Sequence, residues 1–157
     1  MKVNLLVIAK TEEAWLREGI AVYLKRLERY LDVKLEELPA LKNAKNMSEE
    51  QQKQKEGESI MAQLEPADKV ILLDERGKEY DSKALASFMQ QQMNQSVKRL
   101  VFVVGGPYGF SEELKLRANG KLSLSKMTFS HQMVRLFFTE QLYRAMTILK
   151  GEPYHHS

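Results

Sequence analysis

RLVFVVGGPYGF, residues 99–110, runs an apolar segment directly into a glycine-rich turn. Its first half, Arg99–Val104, carries five apolar residues in a row, Leu100–Val104, the pattern of a strand covered on both faces. Its second half is a turn. Adjacent Gly105 and Gly106 permit positive φ and close approach of a ligand to the backbone, Pro107 stiffens the loop, and Gly109 allows another bend. Ser111 then caps a short helix whose first turn holds Glu112 and Glu113. A strand running straight into a glycine turn and a helix start is the place where α/β proteins bind ligands. A plain strand-to-helix connection fits the same residues. The spacing is neither GxGxxG nor the GK[ST] phosphate loop.

Outward from this stretch the pattern repeats. Lys2–Ala9 and Lys69–Leu73 read as two further buried strands, the second ending in the polar turn Asp74–Lys78. Val33–Leu38 alternates apolar and charged residues, as an edge strand does. Between them, Thr11 reads as the cap of a helix reaching about Tyr30, which buries Trp15, Leu16, Ile20, Tyr23, Leu24 and Leu27. Residues 41–58 are polar throughout and suit a mobile loop leading into a helix capped at Ser48. Ser82–Met93 has helical spacing, and Leu122–Phe129 is a short strand and loop. The last helix, His131–Lys150, ends at Gly151. Strands alternating with helices predict an α/β fold, a mainly parallel sheet flanked by helices, in one domain over 1–157.

The last helix is apolar almost all round, from Met133 and Val134 to Ile148 and Leu149, which predicts cover on two sides: the core and a second copy of the chain. It also carries Arg135, Glu140 and Arg144. The two arginines are candidates for a phosphate-facing edge, with Glu140 four residues before Arg144; a structural ion pair fits as well.

Composition narrows the chemistry. The 157 residues include no cysteine, which excludes a disulfide scaffold, a thiol nucleophile and Cys-ligated metal. No GxSxG or HExxH occurs, and three histidines, His131, His155 and His156, give no metal spacing; each suits a surface position. Apolar runs stop at five residues and the start lacks signal-peptide features, so a cytoplasmic protein without membrane spans is expected. The net charge is +3, but residues 98–157 carry nine basic against four acidic side chains, a balance compatible with a polyanionic partner.

The motifs KVNLLVIAK at the start, LPALKNAKN, KEGE at 55–58, LLDERGK at 72–78, VVGGPYGFS at 103–111, LSLSKMTFSHQMVRLFFTEQLYRA at 122–145 and the terminal PYHHS are together specific. End to end, the chain resembles the RlmH-type ribosomal RNA large-subunit methyltransferases of the SPOUT (α/β-knot) superfamily. The resemblance implies a C-terminal trefoil knot, a homodimer and the cofactor S-adenosyl-L-methionine. It implies N3-methylation of a pseudouridine in a stem-loop of 23S rRNA, in the large subunit or 70S ribosome. Carried over, the cofactor-binding residues are Leu73, Gly105, Leu124, Ser125, Lys126, Met127, Thr128 and Phe129. Tyr143, Arg144, His155 and His156 are expected to hold the nucleotide, with Tyr154 stacking on it, and Glu140, His155 and His156 are the candidate proton acceptors. Relatives often end in a basic residue after PYH, where this chain has His156 and Ser157. A non-catalytic dimeric RNA- or ribosome-binding module on the same fold is the alternative.

Overall fold

The computed structural model describes residues 1–156; Ser157 lies outside the described residues. Strands β1 (Lys2–Ile8), β2 (Asp32–Leu38), β3 (Lys69–Glu79), β4 (Arg99–Val104) and β5 (Gly120–Ser123) form one sheet in the order β2-β1-β4-β3-β5. Every pairing is parallel. Helices α1 (Ala14–Leu27), α2 (Glu49–Met61), α3 (Ser82–Asn94), α4 (Glu112–Arg117) and α5 (Met133–Leu149) cover its two faces.

The continuous apolar runs still obey the two-residue period of a strand. Along β4, Leu100, Phe102 and Val104 join Val3, Leu5, Val7, Phe138 and Leu142 on the face covered by α1, α3 and α5. Val101 and Val103 point the other way, onto Ile60 of α2 and Leu114 of α4. Edge strand β2 is only partly buried until Leu38, as its alternating charges require. Helix α5 packs between α1 and α3. Its inward face buries Phe138, Leu142, Ala145 and Met146, while Phe137 stays 38% exposed.

Several local expectations are corrected. Thr11 caps nothing: α1 starts at Ala14 with Glu13 at its N-cap, and the Thr11 hydroxyl accepts a hydrogen bond from Arg135 instead. Trp15 is 56% exposed, because the buried stripe of α1 runs through Leu16, Ile20 and Leu27. Within 41–58, by contrast, the helix expected from Ser48 is present: Ser48 and Gln51 form a complete capping box at the start of α2. Strand β3 does not stop at Leu73. Its register against β5 slips so that Leu73 and Lys78 both face Leu122, and Asp74–Gly77 bulge out between them.

Candidate functional site

Because all five strands are parallel, their carboxyl ends share one edge of the sheet, and β4, β3 and β5 are neighbours there. The bulge after Leu73, the 105–110 loop after β4 and the 124–131 segment after β5 therefore meet. They enclose a cavity of about 550 Å³, within the usual range for a small-molecule site. Its walls include the apolar Leu73, Val104, Leu122, Leu124, Phe129 and Val134. The polar rim carries Asp74, Glu75 and Arg76 from the bulge, Lys53 from α2 and Lys115 from α4. Thr128 donates a hydrogen bond to Glu75, tying the third segment to the first.

Positive φ is not what requires glycine at 105 and 106. Gly105 and Gly106 do not adopt positive φ; in this loop only Gly109 does, at 88°. A Cβ on Gly105 would lie 2.9 Å from the Phe110 ring, and one on Gly106 would drive into the carboxylate of Glu56. Close packing behind the loop, rather than a left-handed backbone, excludes side chains at both positions. Glu56 itself is 8% exposed, and its Oε1 finds no hydrogen-bond partner among the described residues. Burial pushes its carboxyl above the ordinary range.

Of the residues expected to hold a cofactor, Leu73, Gly105, Leu124, Ser125, Met127, Thr128 and Phe129 line this one cavity. Lys126 does not line it; its ammonium points out to Glu79, 3.6 Å away. His131 also lines the cavity, although it was expected only as a surface histidine. Burial, then the neighbouring Arg135 charge, pushes its pKa down, with Glu12 opposing.

Arg135 is not phosphate-facing. It is fully buried and bridges α5 to the end of β1. Nη2 donates to the Ile8 carbonyl at 2.7 Å, Nη1 to the Ala9 carbonyl and Thr11 hydroxyl at 2.9 Å each, and Nε to the His131 carbonyl at 3.2 Å. Glu37 supplies the counter-charge at 3.4 Å.

The other expected residues form a second group. Arg144 donates to Glu140 Oε1 at 2.6 Å, and Tyr154 donates to the same oxygen at 2.9 Å. Glu140 Oε2 accepts from Gln141 at 3.0 Å, so this carboxylate is committed to holding its neighbours. Arg144 also lies over the Tyr154 ring at 4.7 Å and meets His155 Nδ1 at 3.2 Å. A guanidinium only donates, so Nδ1 accepts and a neutral His155 carries its proton on Nε2. Tyr143 packs edge-on against Tyr154 at 4.7 Å, and Arg26 of α1 lies over Tyr143 at 5.5 Å. His156 is exposed. This group is three turns along α5 from Val134 on the cavity wall, roughly 15 Å at 1.5 Å per residue.

The family model described as "Predicted SPOUT methyltransferase" matches residues 1–155. Curated relatives run the whole length. The chain is 56% identical to the ribosomal RNA large subunit methyltransferase H of Christiangramia forsetii over 156 residues, 99% of both chains. The proteins of the same name from Parabacteroides distasonis and Flavobacterium johnsoniae are 55% and 56% identical with the same coverage.

Proposed function

This chain belongs to the SPOUT methyltransferase family, and on that premise we propose that it methylates N3 of a pseudouridine in 23S rRNA, with S-adenosylmethionine bound in the strand-end cavity. The observation that carries the reading is the meeting of three loops, after Leu73, Val104 and Ser123, around one pocket of cofactor size. The residues fit the group chemically. Apolar walls suit an adenine ring, Asp74 and Glu75 suit its cationic centres, and Lys53, Arg76 and Lys115 suit its carboxylate. When bound, the cofactor supplies an electrophilic methyl group on a sulfonium. The chain's part is to hold that group in line with the base, a geometric contribution of up to roughly 7–11 kcal/mol.

Arg144, Tyr143 and the Tyr154–His156 tail are proposed to hold the nucleotide. Arg144 offers a charge for phosphate, and a base in a loop is already partly unstacked. Their place, three helical turns from the cavity of the same chain, supports a homodimer in which one copy's tail serves its partner's cavity. The exposed Trp15, Val22 and Phe137 on the α1 and α5 side supply apolar surface for such a contact. The knot expected of the family would thread the segment between β5 and α5, which passes from the sheet edge to the layer between α1 and α3.

The test is mass spectrometry of 23S rRNA from a strain lacking the gene and complemented by this chain. The methyl mark is expected to return with the native chain and not with Gly105→Val. A mark retained in the uncomplemented strain rejects the substrate.

A further inference from the structure

His131 is a histidine in the wall of the cavity, and its surroundings bear on its charge. The ring sits on the last residue but one before α5, and Arg135 stands one turn on, buried and fixed by carbonyls at the end of β1. That guanidinium cannot move away or be neutralised by pH, since arginine stays protonated in proteins. A second positive charge on the imidazole would face it in a partly desolvated place, where like charges repel strongly. From the β1–α1 connection, Glu12 is the acidic group that offsets this in part. The same cavity is also lined by Asp74, Glu75, Arg76, Lys53 and Lys115.

Resting on the reading of this cavity as the S-adenosylmethionine site, we propose that His131 is its charge gate: the neutral imidazole forms a wall that admits a sulfonium cation, and the protonated one repels it. Arg135 acts as the positioning residue that keeps the gate neutral and fixes its backbone. The same device discriminates cofactor from product. S-Adenosylmethionine and S-adenosylhomocysteine share the adenosine, ammonium and carboxylate groups, but the product's sulfur is an uncharged thioether. Charge on residue 131 must therefore weaken one ligand far more than the other.

The test is calorimetric titration of the full chain with each ligand across the histidine range. For the native chain, the dissociation constant for S-adenosylmethionine is expected to rise several-fold from about pH 7.5 to about pH 5, while that for S-adenosylhomocysteine changes by no more than about twofold. His131→Lys should carry the acid-like loss of S-adenosylmethionine affinity to neutral pH. His131→Asn keeps an uncharged polar group and should bind both ligands at neutral pH with the pH dependence of their ratio removed. Circular dichroism checks folding; if the lysine variant unfolds, the asparagine variant carries the test alone. A ligand ratio that does not change with pH in the native chain overturns the gate and leaves the cavity reading standing. Failure of the native chain to bind either ligand at any pH overturns both.

Discussion

At the scale of single residues, two buried ionisable groups shape the site from behind. Arg135 satisfies the carbonyls of Ile8, Ala9 and His131, so removing it orphans several acceptors at once. Arg135→Leu is expected to cost on the order of 3–5 kcal/mol, read as a lower urea midpoint. An unchanged midpoint would show that the bridge holds nothing. Glu56 behaves oppositely. Its folded carboxyl titrates above the ordinary value because burial disfavours the anion. The native state thus binds more protons than the unfolded chain between the two values, and stability falls as pH rises through that interval. Glu56→Gln is expected to raise the melting temperature near pH 8 and to change it little near pH 4. An equal effect at both pH values would place the cause outside titration.

At the scale of elements, the capped start of α2 and the loop after β4 are separable. Ser48→Ala removes one half of the capping box and should cost about 1 kcal/mol of stability, measured by denaturant unfolding, without altering ligand binding. Gly105→Val acts on the loop. Its side chain must displace Phe110 or the loop itself, so cofactor affinity is expected to be lost while circular dichroism still shows a folded chain. Unaltered affinity in that variant would remove the 105–110 loop from the proposed site. The presence of nearly all these elements was legible in sequence, since buried parallel strands and capped helices leave strong local patterns. The extension of β3 through Asp74–Glu79 was not, because a bulge pairing depends on where β5 lies.

At the scale of the whole molecule, the cavity and the Arg144–Tyr154 group occupy different parts of one chain. A composite site predicts complementation. Gly105→Val and Arg144→Ala chains, each inactive alone, should recover about a quarter of native activity when mixed, from hybrid dimers with one intact site. No recovery, combined with a monomer by sedimentation, would end the two-copy proposal.

What the amino-acid order determined alone were those features written in neighbouring residues: the apolar runs of β1, β3 and β4, the glycine turn, the Ser48 and Ser111 caps, and the motifs that mark the family. Tertiary structure decided everything that needs two distant segments to meet. It turned Arg135 from a surface candidate into a buried strut, exposed Trp15, and committed both Glu140 oxygens. It also set His131 in a cavity wall and gave Gly106 its reason in the Glu56 carboxylate. Periodicity reports which face of an element is apolar, but a partner fifty or a hundred residues away is fixed only when the sheet order brings it alongside.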